Sequence, residues 1–326
     1  MVIGEGNNMR NTILYGDCRE TLKQFDEQAR TCITSPPYYG LRNYGNEENQ
    51  IGQENTPEEF IDQLVNVFKE VRNVLTDDGT LWVNLGDSYY NYRPGKGQAY
   101  PKQSVSKTNQ DLPTKCNKRG NKLQGLKEKD LIGIPWLFAF AMRADGWYLR
   151  QDIIWHKPNP MPESVKDRCT KSHEYIFLLT KNKKYFYDNE AIKEPVKQDW
   201  GTRNRTKGKY HNSGTGLSPH TGLTKSYERK NKRDVWSITN KPYKGSHFAV
   251  FPPDLITPCI LAGREKGDIV LDPFMGSGTT AMVAKELGRD YIGCELHEEY
   301  ANLIGQRVPV EEVAQESPNP LEGLLY

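Results

Sequence analysis

No two of the six cysteines (Cys18, Cys32, Cys116, Cys169, Cys259, Cys294) form a CxxC pair, and none joins a close Cys/His cluster. That spacing argues against a zinc site and against a disulfide scaffold, and fits a reducing cytosol. Long apolar runs are missing too. The longest, Leu131 to Met142, is too short to cross a bilayer, contains Pro135 and reads as a buried helix. Met1 to Arg10 is polar and glycine-rich, with no apolar stretch of signal-peptide type. The expectation is a cytoplasmic protein that uses neither membrane nor metal. Charge of one sign is not in excess: 44 Lys and Arg stand against 42 Asp and Glu, so a net +2 names no partner.

The distribution of charge says more than its sum. Between Asn91 and Asp130 there are ten Lys or Arg against three acids, and between Trp200 and Arg233 nine against one. Taken alone, such runs are often solvated loops. Both carry interleaved aromatics and amides (Tyr92, Tyr100, Asn117, Asn121; Trp200, Tyr210, His211, Tyr227), a mixture suited to phosphate contact and base stacking. Nucleic acid is the favoured partner. At 326 residues with 36% hydrophobic content, the chain can build one catalytic core with inserted modules.

Apolar runs at Thr12–Tyr15, Ala29–Thr34, Thr80–Leu85, Trp147–Trp155 and Tyr175–Thr180 read as strands. Helices are expected over Arg19–Gln28, over Thr56–Leu75 with Thr56 as cap and Pro57 as first residue, and over Leu131–Ala144. Gly79 is read as a break before the third strand. The last quarter is the most regular. A helix at Pro253–Ala262 precedes a strand at Asp268–Leu271, a glycine loop, a helix from Thr279 to Leu287 stopped by Gly288, and a strand Tyr291–Cys294. Alternation of this kind implies an α/β, doubly wound, mostly parallel sheet, with ligands beyond the carboxyl ends of its strands. Four polar residues close apolar runs there: Asp17, Ser35, Asp272 and Glu295.

Gly276-Ser277-Gly278-Thr279-Thr280-Ala281 matches the GxGxxA form of a dinucleotide fingerprint, set between strand and helix. Glycines let a ligand approach the backbone, and Glu295, ending the next strand, can accept hydrogen bonds from ribose hydroxyls. NAD and S-adenosyl-L-methionine both present such a ribose. Asp272 before the loop suits an amino-acid ammonium better than a phosphate, which favours the sulfonium cofactor. At the other end of the chain, Thr34-Ser35-Pro36-Pro37-Tyr38 closes a strand. Two prolines stiffen the backbone and leave carbonyls that no ladder uses. Those carbonyls and the Ser35 hydroxyl can grip an exocyclic amine, and Tyr38 offers a flat face for the ring that bears it.

Thr34–Tyr38 and Asp272–Thr280 together resemble the signature motifs of the DNA amino-methyltransferases, and Ser-Pro-Pro-Tyr is similar to the form of the N4-cytosine enzymes. Asp-Pro-Pro-Tyr is commoner in the N6-adenine enzymes. Catalytic motif first and cofactor motif last is similar to the permuted (β) class. Gly16-Asp17, Ile153–Asn159, Ser172-His173-Glu174 and His247–Pro252 are further matches. The resemblance implies a circularly permuted S-adenosyl-L-methionine-dependent core in three pieces, 1–90, 131–193 and 242–326. Basic insertions at 91–130 and 194–241 would interrupt it, the second recognising the target sequence in double-stranded DNA. It also implies site roles. Phe274, Gly276, Gly278, Thr279 and Thr280 would line the cofactor, with Asp17 at its adenine edge, Glu295 at its ribose and Phe251 along its methionine tail. Ser35, Pro36, Pro37 and Tyr38 would bind a flipped-out base, and Trp155, Lys157 and Asn159 would complete that pocket or touch phosphate. No cysteine nucleophile is needed, and Cys32 is expected as a small buried strand residue. His156 and His173 are expected to be hydrogen-bonded structural residues. A cognate restriction endonuclease, acting separately, is a partner the resemblance allows. An adenine-N6 enzyme and a DNA-binding protein without turnover remain the rival readings. For the two ends of the chain to meet, the Thr12 strand should follow the C-terminal βαβ unit in the sheet, with the Ala29 strand after it.

Overall fold

The computed structural model describes residues 9–40, 49–90, 123, 125–196, 228–240, 251–263 and 265–308. The two basic runs fall mostly outside these residues, as does His247–Val250. Along the chain, Thr12–Tyr15 (β1) leads into Cys18–Thr21 (α1) and Ala29–Thr34 (β2). Pro57–Val74 (α2), Leu75–Leu85 (β3), Ile134–Ala144 (α3), Tyr148–His156 (β4) and His173–Thr180 (β5) follow. Glu194–Pro195 (β6) pairs with Arg229–Lys230 (β7) in a small antiparallel ladder, and Val235–Ser237 (β8) joins the main sheet. Pro253–Gly263 (α4), Ile269–Asp272 (β9), Thr279–Glu286 (α5), Asp290–Glu295 (β10) and Ala301–Arg307 (α6) complete the order.

The main sheet runs β1-β10-β9-β2-β3-β5-β4-β8, parallel except for β5, which is antiparallel to both its neighbours. Both ends of the chain enter this sheet, as expected. The order differs from the expectation in one respect. β1 pairs with β10, whereas β2 pairs with β9 on the opposite side, through Thr31↔Val270 and Cys32↔Leu271. The C-terminal βαβ unit is therefore wedged between the two N-terminal strands.

Helices cover both faces, which is why the strands read as continuous apolar runs. Alternate residues face alternate cores: Cys32, Leu81, Val83 and Leu271 pack with Phe60, Phe68 and Phe138 of α2 and α3. Ile33, Trp82 and Val270 pack with Leu255, Ile260 and Val283 of α4 and α5. On α2, Phe60, Leu64, Val67, Phe68 and Val71 are wholly buried, each stabilising by roughly 1.5–3 kcal/mol against the exposed state. Its start follows the sequence signal: Thr56 Oγ1 accepts the Glu59 N–H at 3.1 Å and Pro57 leads the helix.

Two elements depart from expectation. The helix read over Arg19–Gln28 ends at Thr21 and tightens into a 3₁₀ turn at Leu22–Gln24. Leu22 is wholly buried there, and Phe25 is already extended toward β2, so no further helical turn fits. Gly79 does not interrupt β3 but sits within it. The register against β2 jumps there, from Ala29↔Leu75 to Thr31↔Thr80, and a Cβ on Gly79 would stand 3.0 Å from Thr76 O and 3.1 Å from Arg30 O. The glycine marks a close backbone approach at a bulge.

Candidate active site

From β9 the chain builds the sheet toward β10 and β1, while β2 and β3 extend it the other way, so the switch point lies between β9 and β2. Ligand crevices open beyond strand ends at such points. Asp272 closes β9, and Thr34 closes β2 directly before Ser35. The two motifs touch. Thr34 Oγ1 donates to Asp272 Oδ1 at 2.6 Å across 238 residues of sequence. Thr280 Oγ1 donates to Oδ2 at 2.6 Å, and the Phe274 N–H to Oδ1 at 3.0 Å. Asp272 is 1% exposed, and burial pushes its carboxyl up to about 6 despite these donors. In this arrangement Asp272 is a joint between strand end, glycine loop and helix α5.

The loop itself turns on Gly276 at φ 54° and Gly278 at φ 79°, the latter capping α5. A Cβ on Gly278 would stand 3.2 Å from Ile304 Cγ2 of α6. The Met275 N–H donates to Cys294 O at 2.9 Å, binding the loop to β10. Glu295 ends that strand, with Oε2 accepting the Gly276 N–H at 2.7 Å and Oε1 the His297 N–H at 3.1 Å. Burial raises its carboxyl above the ordinary range, although both N–H groups pull it down. Thr279 and Thr280 are buried at the start of α5, while Phe274 is half-buried against the first core. Arg307 of α6 reaches over the loop to Ser277 Oγ at 2.6 Å and Thr279 Oγ1 at 2.9 Å.

Beside Glu295, the Gly16 N–H donates to Glu295 O at 2.8 Å, which brings Asp17 to the same edge. Asp17 is engaged by its own neighbour: its carboxylate accepts the Arg19 backbone N–H at 2.9 Å and the Arg19 guanidinium at 2.5 Å. Burial alone would raise this carboxyl, but the Arg19 hydrogen bonds hold it below its ordinary value. Phe251 lies on the other side, lining a small cavity with Thr34, Asn84 and Leu255.

On the β2 side, Pro36 is buried and Ser35, Pro37 and Tyr38 are half-buried. Ser35 Oγ donates to Asn84 Oδ1 at 3.4 Å. Tyr38 Oη donates to Glu174 Oε2 at 2.7 Å and stands 3.3 Å from Asn84 Oδ1. Its ring lies so close to Gly86 that a Cβ there would stand 2.6 Å from Tyr38 Cε2. Neighbouring Cys32 is wholly buried, and burial lifts its thiol well above the ordinary 9.0, away from the thiolate that a cysteine nucleophile requires.

The three residues expected to complete a base pocket or touch phosphate all have partners within the protein. Trp155 is buried in the second core and donates through Nε1 to Ile238 O at 2.9 Å. Lys157 pairs with Glu174 and lies 4.2 Å over the Trp155 ring, so its charge is matched inside the protein. Asn159 is exposed and forms a two-way hydrogen bond with the backbone of Asn240, at 3.0 and 3.1 Å. Only Lys157 joins the network around Tyr38. His156 hydrogen-bonds Ser237 Oγ at 3.1 Å, and His173 stands edge-on to Tyr175.

Asn84, Gly86, Glu174 and Arg307 were missed as site residues. For two of them a signal existed. Asn84 is a lone amide in the run Leu81-Trp82-Val83-Asn84-Leu85, and Glu174 is a lone acid opening an apolar strand. Both are polar residues set in or at the head of an apolar run, whereas Asp17, Ser35, Asp272 and Glu295 close theirs.

The signature of the N6/N4 DNA methylases matches residues 29–306. The chain belongs to that family. It is 46% identical to the Type II methyltransferase M.SmaI of Serratia marcescens over 93% of this chain and 92% of the relative. To M.Cfr9I of Citrobacter freundii it is 45% identical, over 92% and 88%. In fold the N6/N4 methylase described here resembles the PvuII DNA methyltransferase (cytosine-N4-specific), with a TM-score of 0.59 at 19% identity over 94% and 88% of the two chains. A putative DNA modification methylase from Thermus thermophilus, solved with S-adenosyl-L-methionine, gives a TM-score of 0.55 at 23% identity over 91% and 94%.

Proposed function

We propose that this DNA methylase transfers a methyl group from S-adenosyl-L-methionine to the exocyclic N4 of cytosine in double-stranded DNA. One observation carries the reading: Thr34 donates directly to Asp272, setting Ser35-Pro36-Pro37-Tyr38 beside the glycine loop at the switch point. The cofactor choice is supported by the donor set. A buried carboxylate at the end of β10, with one N–H on each oxygen, keeps lone pairs for two sugar hydroxyls. Positive-φ glycines bring bare backbone to the same place. Glu295 would hold the ribose and Gly276, Gly278, Phe274, Thr279 and Thr280 the loop side, while Asp17 would face the adenine edge and Phe251 the methionine tail. Bound there, the cofactor supplies an electrophilic methyl on a sulfonium.

The chain's own residues supply position. Inside the duplex the base amine is occupied by pairing, so the target base must leave the stack. Ser35 donates its proton to Asn84 Oδ1, which leaves the hydroxyl lone pairs free to accept from an amine. The Pro36 carbonyl is a second rigid acceptor, and Tyr38 presents a ring to the base. The amine's lone pair is delocalised into its ring, so two acceptors that favour a tetrahedral nitrogen and aim it raise the rate by orientation and electrostatics.

Serine before Pro-Pro-Tyr supports cytosine over adenine, and the fold it shares with the cytosine-N4-specific PvuII methyltransferase is compatible with that choice. The Type II names of the relatives support a modifying role beside a separate restriction endonuclease. The basic insertions at 91–130 and 194–241 are read as the parts that choose the sequence. Incubating DNA with enzyme and methyl-labelled cofactor, then digesting to nucleosides, tests the reading. Label in N4-methylcytosine is expected, whereas label in N6-methyladenine rejects cytosine and unlabelled DNA rejects the activity.

A further inference from the structure

We propose that Glu174 is a positioning residue for methyl transfer, its carboxylate fixing the Tyr38 ring and, through Asn84, the Ser35 hydroxyl. The inference rests on the amino-methyltransferase reading and adds a residue that acts only through others. Glu174 stands near the start of β5, and its side chain is 14% exposed. Three donors from three other segments converge on it. Tyr38 Oη reaches Oε2 at 2.7 Å from the loop after β2, and Asn84 Nδ2 reaches the same oxygen at 3.3 Å from β3. Lys157, directly after β4, pairs with Oε1 and is itself only 17% exposed.

A carboxylate so enclosed needs its partners, because an unpaired buried charge is costly. Paired with Lys157 on Oε1, the carboxylate offers Tyr38 and Asn84 an acceptor and no donor. That dictates the orientation of both neighbours. Tyr38 must point its O–H at Oε2, which fixes the ring's tilt while Gly86 fixes its depth. Asn84 must present Nδ2 to Glu174 and to Tyr175 O at 3.1 Å, which turns Oδ1 toward Ser35. With the amide reversed, Ser35 would face a donor and would have to spend a lone pair on it. Glu174 thus determines that the serine hydroxyl keeps its acceptor capacity for a base amine.

The test compares single-turnover methyl transfer at saturating DNA and cofactor for wild type, Glu174→Gln, Tyr38→Phe and the double variant. Cofactor affinity and the unfolding midpoint are measured on each. Glu174→Gln should slow transfer about 10- to 100-fold with cofactor affinity within about twofold of wild type. Tyr38→Phe keeps the ring and the Lys157 pair, and should also slow transfer. The double variant should be no slower than Glu174→Gln alone, since both break one linkage. Lys157→Met should behave like Glu174→Gln, and Lys157→Arg should restore most of the rate. Wild-type transfer by a folded Glu174→Gln protein overturns the proposal, as do effects that multiply in the double variant. If Glu174→Gln does not fold, Tyr38→Phe decides alone, and a wild-type rate overturns it. Label on adenine in the wild-type reaction would defeat the cytosine reading while leaving these rate comparisons intact.

Discussion

Asp272 carries an ionisable carboxyl where almost no water reaches. Burial lifts it from 3.8 to about 6, so the folded protein holds that proton more tightly than the unfolded chain. The group therefore favours folding fully below about pH 4 and loses that contribution as pH rises through about 6. In urea unfolding between pH 4 and 7, the stability of wild type relative to Asp272→Asn should be greatest at pH 4 and shrink toward pH 7. A pH-independent difference would contradict the shift. Gly86 makes a second prediction at the same level. Its missing Cβ leaves room for the Tyr38 ring, so Gly86→Ala should displace that ring and cut kcat by about tenfold or more, with cofactor affinity retained. Equilibrium binding set against turnover checks it. Asp17, Ser35, Asp272 and Glu295 were legible because each is a polar residue ending an apolar run. The partner of Lys157 was not legible, for a related reason. A lysine after a strand looks solvated until its acid is seen, and Glu174 lies on a neighbouring antiparallel strand that sequence spacing does not reveal.

Among the elements, β2, α2 and the closing βαβ unit were legible nearly to the residue. Their signals are local: a proline pair after β2, a threonine cap with Pro57 on α2, and glycines flanking α5. Thr56→Ala removes the acceptor for the Glu59 N–H and should cost about 1 kcal/mol in denaturant unfolding, with turnover unchanged. A change within error would mean water replaces the cap. The illegible features depend on partners. Gly79 reads as a break in sequence, yet it is a bulge demanded by the carbonyl of Arg30 on the adjoining strand. Similarly, α1 is cut short by the distance its chain must cover to enter β2.

For the whole molecule, sheet class and the meeting of both ends were legible, whereas strand order was not. Either order satisfies the apolar patterning of β1 and β2, and only their pairing with β10 and β9 distinguishes them. This interleaving makes a prediction. Two co-expressed fragments divided within the second basic run, near residue 215, should copurify, because β9 and β10 sit between β1 and β2. Independent elution of the fragments would rule that out.

The wedge formed by β9 and β10 also bears on synthesis. Among the described residues, β1 pairs with β10 and with no other strand. A ribosome adding about 5–20 residues per second would therefore expose Thr12–Tyr15 for tens of seconds before its neighbour is translated. Long-range pairing of this kind is slow, and edges left open invite association with other nascent chains. The switch-point crevice is also bounded on one side by β9 and β10, so it cannot be complete until Ile269–Glu295 has been synthesised.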